Sequence, residues 1–296
     1  MTQVKEMQRL IRAVRGQLQA ELTLGARWLP LGRVSLAGAA RPASGGRAAA
    51  PSAPAGSAAR KPAVQAGAGR APAARPAAAE IPVPHVRTSD PRVLEKQRRL
   101  EAIAQQVRQC TKCPLHQTRT NPVPGEGNPE ALIVFVGEAP GADEDAQGRP
   151  FVGRAGRLLT QIIEAMGLRR EDVYIANVLK SRPPNNREPS ALEMAACIGY
   201  LYEQIEIIAP KMIVALGACA ARALLNTPAA IGQLRGRFHE LRTQPLGPAL
   251  KVRATYHPAY LLRSYLPENR RRVWEDMQAV LRELGLPVPP RRKQEP

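Results

Sequence analysis

The chain is poor in cysteine, in long apolar runs and in acidic side chains. Four cysteines in 296 residues are too few for a disulfide framework, which leaves metal binding or redox chemistry as their expected use. The longest apolar runs, such as Met212–Leu216, fall far short of the roughly 20 residues that span a bilayer. No membrane partner is therefore expected. The N-terminus has neither a long apolar core nor a small-residue cleavage site, so no secretory leader is expected. Only 25 acidic residues face 43 basic ones, a formal net charge of +18. That imbalance points to an acidic partner, with nucleic acid first in line.

The charge is unevenly spread. The first hundred residues hold 17 basic and 5 acidic side chains, and the remaining 196 hold 26 and 20. Residues 37–79 contain 20 Ala, 6 Pro, 6 Gly, 3 Ser, six basic residues and no acidic one. So little apolar volume cannot offset the entropy of ordering the chain. We read residues 37–89 as a disordered basic linker. Ahead of it, residues 1–36 carry one helical pattern, with Val4, Met7, Ile11, Val14 and Leu18 at helical spacing. That amphipathic helix is either merely solvated or a docking helix for a protein partner.

From residue 90 the pattern changes. Residues 91–109 read as a charged amphipathic helix. Strands are expected at 131–136, 173–179, 211–216 and 252–256, and helices at 153–166, 190–208, 218–225 and 269–284. Continuous apolar strands alternating with helices imply a parallel sheet covered on both faces. The expectation is an α/β domain over residues 90–286, three-layered α/β/α around a central, mainly parallel four-stranded sheet, followed by a disordered basic tail at 287–296. In such folds ligands bind beyond the carboxyl ends of the strands, which directs attention to the loops after them.

Those loops carry polar groups of distinct chemistry. After the first strand comes Gly137-Glu138-Ala139-Pro140-Gly141-Ala142-Asp143-Glu144-Asp145, leading to Gly148-Arg149-Pro150-Phe151-Val152-Gly153. No Gly-Lys-Ser/Thr follows, so it is not a phosphate loop. Asn177 lies near the end of the second strand, before Lys180-Ser181-Arg182-Pro183-Pro184-Asn185-Asn186-Arg187. His257-Pro258-Ala259-Tyr260-Leu261-Leu262-Arg263 follows the fourth. Singly, each has a structural explanation: a turn carboxylate, a hydrogen-bonded amide, a helix start. Together at one sheet edge, a carboxylate, an amide, an aromatic ring and an imidazole make a binding pocket.

In this order, the four motifs GEAPGADED, GRPFVG, RPPNNR and HPAYLLR resemble those of family-four uracil-DNA glycosylases, the iron–sulfur type. The resemblance covers roughly residues 103–284. It implies a uracil-DNA glycosylase-like fold and hydrolysis of the N-glycosidic bond of deoxyuridine, leaving an abasic site. The target base must leave the stack to be reached. His257 would donate to a uracil oxygen as charge develops there. The Asn177 amide, both donor and acceptor, would pair with uracil O4 and N3–H together and reject cytosine. Phe151 would stack on the flipped base, and the backbone of Ala139 would line the pocket. Glu138 would position water or stabilise the sugar cation, with Glu144 and Asp145 as weaker candidates. Leu261, Leu262 and Arg263 would form the DNA wedge. The implied protein is a cytoplasmic, nucleoid-associated monomer acting on single- or double-stranded DNA.

The resemblance also implies a 4Fe-4S cluster held by four cysteines. Cys110 and Cys113 form a CxxC pair and Cys197 occupies the fourth position, but Ser181 stands where the third is expected. Thiolates are the usual ligands of such clusters. Three arrangements are open: three cysteines with the Ser181 oxygen, recruitment of Cys219, or zinc or no cluster. Two other functions compete with the glycosylase. One is a non-catalytic DNA-binding or polymerase-associated protein on the same scaffold. The other is a metal-dependent phosphodiesterase using Asp143, Glu144 and Asp145.

Overall fold

The computed structural model describes residues 90–243, 249–264 and 266–290. The expected N-terminal helix and linker lie outside the described residues. Helix α1 (Pro91–Arg108) starts where the Asp90 carboxylate accepts the Arg92 N–H at 2.8 Å and Pro91 takes the first turn. These are two standard helix-start devices. A six-stranded sheet follows, in the order β1-β3-β2-β4-β6-β5. Its strands are β1 (Glu126–Gly127), β2 (Ile133–Gly137), β3 (Tyr174–Asn177), β4 (Met212–Leu216), β5 (Phe238–Leu241) and β6 (Leu250–Thr255). The four central strands are parallel, as the apolar runs predict, and β1 and β5 are antiparallel edges. The expectation of four strands is thus corrected to six. The two edge strands are short or amphipathic and lack the apolar run that marks a doubly covered strand.

The layering follows from strand alternation. On one face Val134, Val136, Ala176, Ile213 and Ala215 pack with α1, α4 (Ala191–Ile208) and α5 (Ala218–Leu225). On the other, Ile133, Phe135, Ile175, Met212 and Val214 pack with α3 (Arg154–Ala165) and α8 (Pro267–Glu283). Short helices α2 (Ala142–Gln147), α6 (Ile231–Leu234) and α7 (Pro258–Arg263) fill the connections. Val288 packs partly buried against the second cluster. Residues 291–296 of the expected tail lie outside the described residues.

Strand β2 leaves for β3 on one side, and β4 lies on the other. The sheet thus has its switch point between the carboxyl ends of β2 and β4, where a crevice forms.

Candidate active site

The site groups form a contact chain around that crevice. Gly137 ends β2, and a Cβ added there would meet Asn177 Oδ1 at 2.3 Å and Phe151 Cζ at 2.5 Å. Only glycine allows the amide of β3 and the Phe151 ring to close over it. The Phe151 ring lies against His257, with centroids 5.7 Å apart and planes tilted by 32°. A Cβ on Gly217, at the end of β4, would come within 3.0 Å of His257 Cβ. Asn177, Phe151 and His257, predicted from a strand end and two separate loops, are thus brought together.

Asn177 is buried, and its Oδ1 has no hydrogen-bond partner. An unsatisfied acceptor of this kind costs about 1–3 kcal/mol, a cost that a ligand donor would remove. Its main chain is fixed from behind. The Lys180 ammonium donates to the Asn177 carbonyl at 3.0 Å and to Gln204 Oε1 at 2.7 Å. Gln204 Nε2 in turn donates to the Pro124 carbonyl and the Tyr174 hydroxyl. Burial holds the fully enclosed Lys180 amine down at about 8, with the nearby Cys197 thiol opposing.

Phe151 adopts φ 51°, a left-handed conformation unusual for a non-glycine residue. The surroundings enforce it. Arg170 donates to the Phe151 carbonyl at 3.1 Å and to the Pro150 carbonyl at 2.6 Å. Arg170 is itself anchored on Glu126. Gly156 leaves room for the Phe151 backbone, which a Cβ there would strike at 1.9 Å. Local strain held by packing is characteristic of functional positions.

His257 is the N-cap of α7, its Nδ1 accepting the Ala259 N–H at 3.1 Å. Nδ1 therefore carries no proton, and the neutral ring carries its proton on Nε2. Burial, aided by Arg263, lowers its pKa to about 4. At neutral pH the ring is an uncharged donor.

Glu138 is the first residue beyond β2 and is half-buried, as is Ala139. Its carbonyl accepts the Leu179 N–H at 3.0 Å. Burial raises the pKa of its carboxyl, Glu188 adds to this, and a hydrogen bond from Cys219 opposes it. The weaker carboxylates have structural roles instead. Glu144 accepts from the Gly141, Val152 and Gly153 N–H groups, tying the two glycine loops together. Buried Asp145 accepts the Thr120 N–H. Two of the three carboxylates in the phosphodiesterase reading are thereby engaged with backbone.

The wedge needs correcting. Leu261 is 2% exposed and packed into the domain. Leu262 is half-buried and Arg263 exposed. Leu266, exposed at 62%, and Tyr260 carry apolar surface along the same stretch.

Cys110 and Cys113 sit beside buried Cys197, and both act electrostatically on its thiol. Burial pushes that thiol up to about 11, while the Lys180 N–H, donating to Sγ at 3.1 Å, and the Lys180 charge oppose the rise. The Tyr200 hydroxyl bonds Cys110. Ser181 Oγ accepts from Arg119 at 3.0 Å. Cys219 is elsewhere: its neighbours are Glu138, Glu188, Arg222 and the Met194 sulfur at 3.9 Å. Its recruitment as a fourth ligand is therefore set aside. Among the described residues, no three His, Cys, Asp or Glu side chains are arranged to hold a single metal ion. A polynuclear cluster binds each thiolate through a different iron, and so spreads its ligands wider.

Sequence reading alone did not find Lys180, Gln204, Arg170 or the Cys219 contact. Their roles depend on partners such as Gln204 for Lys180, Glu126 for Arg170 and Glu138 for Cys219, each more than 20 residues away in the chain, and no local spacing marks them. The one available signal was a lysine directly after an apolar strand, which must be either exposed or paired.

Residues 124–278 match the model of the uracil DNA glycosylase superfamily. The chain is 52% identical over 180 residues to the type-4 uracil-DNA glycosylase of Thermotoga maritima, covering 60% of this chain and 91% of that protein. It is 48% identical over 185 residues to the type-4 enzyme of Archaeoglobus fulgidus, covering 61% and 91%. To the type-5 uracil-DNA glycosylase of Pyrobaculum aerophilum it is 35% identical over 156 residues, covering 47% of this chain and 66% of that protein.

Proposed function

Because this chain belongs to the uracil-DNA glycosylase superfamily and, within it, to the type-4 enzymes, we propose that Asn177, Phe151, His257 and Glu138 carry out its reaction. The chain is a DNA glycosylase that removes uracil from DNA, a base-excision repair activity.

The observation that carries the site assignment is the buried, unpartnered Asn177 Oδ1 beside Phe151. Uracil N3–H donates to that oxygen while the amide N–H donates to O4. Cytosine presents an acceptor at N3 and an amine at C4, and so fails on both counts. Phe151 stacks on the extruded base. As the glycosidic bond lengthens, charge accumulates on the uracil oxygens, and the His257 Nε2–H donates to one of them. A neutral donor needs no proton transfer to stabilise an anion. Glu138 balances the sugar cation or orients the attacking water. Leu262 fills the gap in the stack and Arg263 engages the backbone.

The thiol corner has the donor set of an iron–sulfur site. It offers three thiols, the Lys180 backbone N–H donating to Cys197 with the Lys180 charge acting on the same thiol, and a serine oxygen that accepts from Arg119. Cys110, Cys113 and Cys197 would hold a 4Fe-4S cluster, with Ser181 as fourth ligand. When bound, the cluster would cross-link the 110–119 loop, the loop after β3 and α4, and supply no chemistry to the glycosidic step. The protein acts as a cytoplasmic monomer.

The test uses a single-stranded and a double-stranded oligonucleotide, each carrying one uracil, followed by alkali. Breakage at uracil without added metal is expected, and Asn177→Ala should abolish it while DNA binding persists. Binding without breakage by the unaltered protein would support the non-catalytic reading. An active Asn177→Ala protein that still rejects cytosine would overturn the assignment of the base reader.

A further inference from the structure

The peptide between Asn177 and Val178 is where β3 ends, and its two polar groups point opposite ways. The Val178 N–H donates to the Gly137 carbonyl of β2 at 2.9 Å, so the Asn177 carbonyl faces the other side, toward β1. β1 is too short to meet it, because its pairing stops at Ile175. A buried carbonyl left there would cost about as much as a lost hydrogen bond. The Lys180 ammonium takes the place of the missing strand, donating to that carbonyl at 3.0 Å and to Gln204 Oε1 at 2.7 Å. Gln204, on α4, donates in turn to the Tyr174 hydroxyl at 3.2 Å and the Pro124 carbonyl at 2.8 Å. Tyr174 begins β3 and Asn177 ends it, so the network closes on the strand that carries the amide. Side chains alternate along a strand: Tyr174 and Ala176 pack in one cluster and Ile175 in the other. The brace therefore lies on the face opposite that of the Asn177 amide.

We propose that Lys180 is a positioning residue for base recognition: its ammonium pins the Asn177 carbonyl, and with it the direction in which the Asn177 amide presents Oδ1 to the base. Lys180 is 1% exposed, and neither of its hydrogen-bond partners is charged. A neutral donor would satisfy a carbonyl at far smaller desolvation cost. The residue it holds is the one whose own side-chain acceptor is buried and unpartnered. Telling uracil from cytosine depends on which end of that amide meets the base edge, an N3–H or a bare nitrogen. A main chain free to rotate at Asn177 would blur the choice.

The inference rests on Asn177 reading the base, and the experiment separates the two. Affinities of the full chain are measured for two oligonucleotides that differ at one position, 2′-fluoro-2′-deoxyuridine, whose fluorine resists bond cleavage, or its cytidine counterpart. The parent should prefer the uracil form. Lys180→Met, near in length and apolar, should lower the ratio of affinities about tenfold, the scale of loss for a recognition group displaced by an ångström or so. Gln204→Met, which leaves the carbonyl bond in place but the ammonium unbraced, should lower it about threefold. Melting curves and iron analysis accompany both. A fall in melting point or iron content with the ratio unchanged would overturn the proposal, because a mere filler, or a partner for the thiols alone, predicts that result. If Asn177→Ala keeps the parental ratio, Asn177 is not the reader and the base assignment itself fails. If Asn177→Ala loses the ratio while Lys180→Met and Gln204→Met both keep it, Lys180 has no positioning role. Should Lys180→Met fail to fold, an unchanged ratio in Gln204→Met overturns the proposal.

Discussion

The base pocket and the thiol corner stand at the two ends of one short segment, Asn177 to Ser181, and treat their polar atoms in opposite ways. In the pocket, Asn177 Oδ1 is buried without a partner, Phe151 is held at φ 51°, and the His257 imidazole is kept neutral. At the thiol corner, the Cys197 sulfur already accepts an N–H and the Ser181 oxygen a guanidinium. The first region spends stability on a buried acceptor left without a partner, and the second uses its donors to hold loops. Lys180 joins them: its N–H binds Cys197 while its ammonium braces the Asn177 carbonyl. A change in the pocket should therefore cost turnover, and one at the thiol corner should cost stability first.

The largest expected effect is on the pocket side. His257→Ala should lower kcat by about 10²–10³, the usual loss when a donor to a developing anion is removed. Single-turnover uracil release measures it, with DNA affinity retained. A loss confined to affinity would break the comparison. Next comes Arg170→Met, which frees the Phe151 and Pro150 carbonyls. A stacking ring misplaced by an ångström or so should cost about ten- to a hundredfold in kcat/KM. An unchanged rate would show that packing against Gly156 suffices.

At the thiol corner, Ser181→Cys should raise iron content per chain and the thermal midpoint while leaving the rate of uracil release unchanged. Iron analysis and a melting curve test it. Equal iron in both proteins would mean that the serine oxygen already serves. The smallest effect concerns specificity. Deleting residues 1–89 removes most of the basic excess. It should flatten the salt dependence of DNA binding by counterion release without altering the preference for uracil. Binding titrations at several salt concentrations check the slope. A truncated protein that excises cytosine would contradict the split between tether and pocket.

Much of this was legible in the chain. Four apolar runs separated by helical periods fix a parallel sheet, because a strand covered on both faces must be apolar throughout. The helix starts at Asp90-Pro91, Ser190 with Glu193, and His257-Pro258 are local chemistry, and the protein forms all three. Edge strands β1 and β5 were not legible. One is two residues long and the other is half-exposed, so neither has a pattern that distinguishes it from a loop.

The sequence by itself determined the order of the elements and the set of side chains at the strand ends, because periodicity and turn chemistry act between near neighbours. Only the tertiary structure decided what those side chains do. It buried Leu261, which the motif had offered as a wedge. It turned Glu144 and Asp145 into backbone acceptors. It set Cys219 against Glu138 rather than with the other thiols. Burial and partnership depend on residues distant in the chain, and they set whether a carboxylate is free, a histidine neutral or an amide left waiting for a base.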